Sequence, residues 1–250
     1  MKLIIPAAGI GTRLKPLTDT TPKPLLHVAG KPMLEHILER LDSTNISEAI
    51  FITGHIKKAM ESYVAEKKFP FKTRCIYQDT MLGTAHAINL ARNVIEESNY
   101  EDVLIIFADT ICDADFNVIK SIQNNDSIDG LMWVKAVSDE EYKRFGIVEV
   151  DNNGIIKNIV EKPEYSESRL ANIGFYYIKN SKLLYEGINY IFNNNITIKG
   201  EYFLTSAFEY MIKSGAKIKT IEVTEWLDCG KFDTLLDTNK KLLEIGRAHV

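Results

Sequence analysis

Short apolar runs alternate with amphipathic stretches through the first half of the chain. Lys2–Pro6, Glu48–Thr53, Thr73–Gln78 and Val103–Ala108 are rich in β-branched residues, as strands buried on both faces are. Between them, MLEHILERL (33–41), HIKKAMESYVAEKK (55–68) and TAHAINLARNVIEE (84–97) place apolar residues at helical spacing with charges opposite. Strand and helix in turn predict an α/β fold: a Rossmann-like, mostly parallel sheet flanked by helices. Ligands of such sheets sit at the carboxyl ends of the strands.

The second half changes rhythm. Phe145–Val150 and Ile155–Lys162 alternate apolar and polar residues around Asp151-Asn152-Asn153-Gly154, a hairpin signal. Centring the turn on Asn152-Asn153 sets Gly146 opposite Ile159 and Arg144 opposite Glu161, and gathers Gly146, Glu161 and Lys162 at one end of the ribbon. Leu170–Ile178 and 217–224 read as strands, 181–193 and 201–213 as helices. No repeat or low-complexity linker interrupts the pattern, so residues 1–244 form one domain with an added antiparallel hairpin subdomain. The closing IGRAHV (245–250) breaks the style of the helical LLDTNKKLLE before it. It resembles the translation of a sequencing-adapter oligonucleotide, and the expectation is a non-native tail in whose place a natural chain could continue past Glu244.

Composition narrows the partners. With 250 residues, 45% hydrophobic and 26% charged, the chain is long enough for one large core. A formal net charge of −4 gives no reason to expect nucleic acid or an anionic membrane surface as a partner. Three scattered cysteines without metal-ligand spacing read as reduced thiols. The opening MKLIIPAAG is too short for a signal h-region, and no apolar run approaches the ~18 residues of a membrane span. A cytoplasmic location is expected, and a homo-oligomer is compatible with all of this.

One stretch is out of keeping with a compact core. From Ala7 to Lys31, about 25 residues show no helix or strand period, and loops of that length inside a domain are commonly functional. Pro16, Pro22, Pro24 and Pro32 stiffen it. A dinucleotide fingerprint would need a third glycine where Leu14 stands, and no helix opens at Gly11. The P-loop string is absent. A triphosphate cradle fits better: Gly9 and Gly11 let backbone N–H groups approach phosphate oxygens, while Arg13, Lys15, Lys23 and Lys31 face the single acid Asp19.

The same residues carry a resemblance. GIGTRLKPLT, PKPL and VAGKPM, followed by QDTMLGTAHAI, FAD, FGIVEVDNNG to EKP, NIGFYYI and WLDCG, resemble the sugar-1-phosphate nucleotidyltransferases in order and over nearly the whole chain. Glucose-1-phosphate thymidylyl- and uridylyltransferases are the nearest in style. The resemblance implies the nucleotide-diphospho-sugar transferase fold and a reaction between a nucleoside triphosphate and a sugar 1-phosphate, giving an NDP-sugar and pyrophosphate. It assigns Arg13 to the pyrophosphate, Lys23 to the α-phosphate and Lys162 to the phosphate of the sugar. Ala8, Gly9, Gly11, Thr12, Gln78 and Gly83 would hold the nucleotide, and Gly146, Glu161 and Asn172 the sugar. Asp109 and Asp228, both at strand ends, would hold Mg²⁺ together with substrate phosphates.

The base is read from Gln78, whose amide offers an acceptor and two donors to the N3–H and O4 edge of uracil or thymine. The amide alone can flip to suit cytosine; the family's neighbouring backbone groups favour UTP or dTTP. One departure is Ala108-Asp109-Thr110, where relatives often read Gly-Asp-Asn; it leaves the metal ligand and opens the identity of the sugar. A cytidylyltransferase for a non-sugar alcohol phosphate and a non-catalytic regulatory homologue are the alternatives. The sugar-type blocks weigh against the first, and retention of Arg13, Lys23, Asp109, Lys162 and Asp228 against the second.

Overall fold

The computed structural model describes residues 1–41 and 44–248, with the backbone alone for 246–248. In chain order the strands are β1 (Lys2–Ala7), β2 (His27–Val28), β3 (Lys31–Pro32), β4 (Glu48–Thr53), β5 (Lys72–Tyr77), β6 (Val103–Ile106), β7 (Thr110–Cys112), β8 (Gly130–Ala136), β9 (Gly146–Val150), β10 (Ile156–Glu161), β11 (Leu170–Ile178), β12 (Ile218–Glu222) and β13 (Trp226–Asp228). The helices are α1 (Met33–Leu38), α2 (Lys57–Glu66), α3 (Thr84–Asn89), α4 (Arg92–Glu97), α5 (Val118–Gln123), α6 (Lys182–Asn193), α7 (Leu204–Lys213) and α8 (Phe232–Ala248). Among the described residues no helix is long and apolar enough to cross a membrane.

A nine-stranded sheet organises the molecule. Its centre, β6-β1-β4-β5, is parallel; β11 runs antiparallel to β6 and carries β8 and then β12 on its other side. Both faces of β1, β4 and β6 are buried, which explains their unbroken apolar runs. The edge strand β5 is instead largely exposed, against the reading of Thr73–Gln78 as buried on both faces. Leu3 and Ile5 pack with Phe51, Leu104 and Ile106 on one face, whereas Ile4 packs with Ile50, Ile52, Val103 and Ile105 on the other. The last four residues of β11 lie beside β6, but Leu170 and Ala171 lie beside β9. The β9–β10 hairpin therefore sits beyond the carboxyl end of β6, on the side where the long loop leaves β1.

The hairpin register differs from the expected one. Gly146 pairs with Glu161, and Ile159 with Val148. The turn holds three residues, closed by Asp151 N–H to the Ile155 carbonyl at 2.9 Å, and a bulge between Ile156 and Asn158 adds another step. Those extra residues bring Glu161 directly opposite Gly146, while Arg144 falls in a helical turn outside the ladder. The gathering of Gly146, Glu161 and Lys162 survives, by a tighter route than the symmetric turn allows.

Other differences are local. The stretch 84–97 is two helices, α3 and α4, because Leu90 and Ala91 turn with i→i−3 bonds. Residues 201–203 are not helical; Tyr202 is bonded across to Leu82 and Ala85 instead. The reading of 7–31 as patternless becomes three single 3₁₀ turns, at Thr12–Leu14, Leu17–Asp19 and Lys23–Leu25, followed by the β2–β3 ribbon. Leu14, Leu26 and Val28 pin this segment into a small core with Ile111, Cys229 and Leu235, and Asn239 of α8 accepts from Ala29 N–H at 2.8 Å. The helix α8 runs through Ala248, so the backbone does not change character at Ile245; His249 and Val250 lie outside the described residues.

Candidate active site

A cleft of about 340 Å³ opens at the carboxyl ends of β1 and β6, within the range of small-ligand sites. Ala8, Gly9, Gly11, Thr12, Arg13, Lys23, Gln78, Gly83 and Asp109 all line it. The phosphate-type part comes from the loop after β1. Gly11 sits in the left-handed region (φ 67°), and a Cβ there would lie 2.9 Å from Thr18 Cγ2. Only glycine turns the chain here, and the Thr18 hydroxyl locks the turn by donating to the Gly11 carbonyl at 2.9 Å. The next turn presents Arg13 from an exposed position.

The four expected cations do not act together. Lys15 pairs with Asp19 at 3.1 Å on the surface, and Lys31 pairs with Glu39. Those carboxylates stand four and eight residues further along the chain, and they draw both lysines away from the cleft. Arg13 and Lys23 remain as its basic pair. The Lys23 side chain is only 12% exposed, and its ammonium lies 3.2 Å from Asp109 Oδ2.

The acidic side is a strand seam. Asp109 follows β6, and β7 then pairs with β13 so that Asp228 stands opposite Thr110. Gly230 N–H donates to Asp228 Oδ1 at 2.8 Å, and Cys229 N–H reaches the Asp109 carbonyl at 3.4 Å. The Thr110 hydroxyl is turned away from the cleft and donates to the Leu227 carbonyl at 3.1 Å, stitching the seam. All three cysteines are free, and burial pushes the Cys229 thiol up to about 11 and that of Cys112 to about 12, so neither is a thiolate at neutral pH.

The base-side wall is built from 78–86. Gln78 is buried, its backbone N–H bonded to Thr53 at 2.8 Å and its Nε2 2.9 Å from His86 Nδ1. Gly83 has φ 105°, and a Cβ there would lie 2.5 Å from the Tyr202 carbonyl oxygen. That contact lets Tyr202 strap the wall: its N–H bonds the Leu82 carbonyl, its carbonyl accepts from Ala85 N–H, and Leu204 N–H bonds Thr84 Oγ1.

The remaining candidates form a second cluster just beyond the cleft. Glu161 accepts from the Thr205 hydroxyl at 3.1 Å, and a Cβ on Gly146 would touch Glu161 Oε2 and, at 3.5 Å, Asn172 Nδ2. Lys162, at φ 47°, carries its ammonium 3.3 Å from Glu161 Oε1 and 4.6 Å above the Phe203 ring. Tyr176 stands between the two clusters: burial pushes its hydroxyl up, and the carboxylates of both Glu161 and Asp109 push the same way. Tyr176, His86, Phe203 and Thr205 were not singled out from sequence. His86 and Tyr176 stand inside the quoted blocks QDTMLGTAHAI and NIGFYYI, whereas Phe203 and Thr205 come from an apolar helix start that carries no chemical signal.

The chain is similar to known proteins over nearly its whole length. UTP–glucose-1-phosphate uridylyltransferase AglF of Haloferax volcanii is 28% identical over 98% of this chain and 97% of its own length. The bifunctional protein GlmU of Methanococcus maripaludis is 34% identical over 97% of this chain, which spans 54% of that longer protein. Among solved structures, a UDP-glucose pyrophosphorylase complexed with UDP-glucose superposes with a TM-score of 0.82, covering 97% of this chain and 98% of that one at 23% identity, a likeness of fold. The profile of the nucleotidyl transferases matches residues 2–245, from the first strand to the last helix. A match over that span takes in the glycine-rich loop, the base wall and both strands of the acidic seam, and the chain belongs to the nucleotidyl transferase family.

Proposed function

We propose that the protein joins UTP or dTTP to a sugar 1-phosphate, releasing pyrophosphate and an NDP-sugar. The observation that carries this is the single cleft in which Arg13, Lys23, Gln78, Gly83 and Asp109 converge, with the Gly146–Glu161–Lys162 cluster directly beyond it. A sugar-phosphate oxygen attacks the α-phosphorus, and the bond to the pyrophosphate oxygen breaks. Two anions must be aligned and the developing charge neutralised. Arg13 holds the leaving pyrophosphate, Lys23 the α-phosphate, and Lys162 the incoming phosphate, while Glu161, Gly146 and Asn172 position the sugar.

A divalent ion fits the donor set. Asp109 already faces one cation in the Lys23 ammonium, and Asp228 stands one rung over on the seam. Two carboxylates and the substrate phosphates are the ligands that Mg²⁺ takes, and the ion would offset phosphate charge there.

Selection of the base rests on Gln78. Gln78→Ala should shrink the preference for uracil-type nucleotides over CTP, read as the ratio of kcat/KM values, more than it slows turnover of either. Equal slowing of every nucleotide would take the base-selecting role from Gln78.

A further inference from the structure

A glutamine amide reads two opposite hydrogen-bond patterns, depending on which way round it sits. Uracil and thymine present a donor at N3; cytosine presents an acceptor there and an amino group beside it. If Gln78 rotated freely, it would serve both. The structure shows what prevents this. Gln78 Nε2 lies 2.9 Å from His86 Nδ1, one turn into α3, in a wall where Gln78 itself is buried.

The imidazole has its own commitments. Burial lowers its pKa below the ordinary value, which favours the neutral ring, and the Thr80 backbone pulls the other way. With the Gln78 NH₂ set against Nδ1, the neutral ring carries its proton on Nε2, and Nδ1 can only accept. The amide must then turn its NH₂ to the ring and its oxygen away. Flipping it would set Oε1 and Nδ1, two lone-pair atoms, face to face at hydrogen-bond distance.

We propose that His86 is a positioning residue for base selection, locking the Gln78 amide so that Oε1 is offered to the N3–H of uracil or thymine and cytosine meets an acceptor against its own. This rests on Gln78 facing the base edge. It assigns specificity to a residue that need not touch the nucleotide. The lock is the acceptor-only nitrogen, so shape and hydrogen bonding alone do not replace it.

Asparagine and aspartate separate these roles. His86→Asn keeps a hydrogen bond to Gln78 but lets both amides rotate together, so the lock is lost. His86→Asp offers acceptors only and preserves it. The measurement is kcat/KM with UTP and with CTP for wild type, His86→Asn, His86→Ala and His86→Asp, with melting temperatures for each. The expected result is a UTP/CTP ratio lowered at least about tenfold in the Asn and Ala variants and held within about threefold in the Asp variant, the scale set by one mismatched buried polar contact. A wild-type ratio in folded His86→Asn or His86→Ala would overturn the proposal. A wild type without preference between UTP and CTP would instead overturn the base reading of Gln78 beneath it.

Discussion

Lys23→Ala should lower kcat by roughly 10²-fold or more, with a much smaller change in KM for the nucleotide. The lysine sits in a proline-flanked 3₁₀ turn, its side chain 12% exposed and its ammonium held over the cleft by Asp109 at 3.2 Å. A charge fixed before the substrate arrives needs no reorganisation when the α-phosphate gains charge, and it acts most strongly at that moment. The Asp109 side chain is 54% exposed, so losing the ion pair itself should cost little stability. Circular dichroism and melting temperature should stay close to wild type. A variant that keeps full kcat would remove Lys23 from the chemistry.

Asp109→Asn and Asp228→Asn should each cut activity at ordinary Mg²⁺ by at least about 10²-fold, the effect of removing one preorganised charge. Both substitutions keep the shape. Asparagine at 228 can still accept from Gly230 N–H, the contact that holds that turn at 2.8 Å. Asp109 has a second role, as the partner of Lys23, and a Mg²⁺ titration separates the two. A ligand's loss raises the Mg²⁺ concentration needed for half-maximal rate, whereas a misplaced Lys23 lowers the rate at every concentration. Either variant turning over normally would strike that residue from the metal set.

The fold was legible where burial was uniform. Both faces of β1, β4 and β6 are covered, so their runs Leu3–Ile5, Ala49–Ile52 and Val103–Ile106 are apolar throughout and cannot be read as anything polar or exposed. The short pair β7–β13 was not legible, because three residues carry no period. Strand β8 shares that ambiguity: its Leu131–Val134 run fits a helix core as well as a strand. At the site, the quoted blocks, with Ala8 just ahead of the first, contain the residues that line the cleft from the loop, the base wall and the β6 end. They could not tell Lys15 and Lys31 from Lys23, since local acids, Asp19 and Glu39, decide which cations remain available. The hairpin failed in register for a comparable reason: the bulge near Lys157 is backbone geometry that alternation does not record. Tyr202 reaches the base wall across more than a hundred residues, and Thr205 reaches Glu161 of the hairpin across 44, separations that no local pattern records.

Pyrophosphate release is the most direct test of a reaction between two anionic substrates. Purified protein with Mg²⁺ is offered UTP, dTTP, CTP, ATP and GTP, each with and without a panel of sugar 1-phosphates and with phosphocholine. Release is expected with UTP or dTTP only when a sugar 1-phosphate is present, matched mole for mole by NDP-sugar. Release without an acceptor, release driven by phosphocholine and CTP, or none with any sugar 1-phosphate would contradict it.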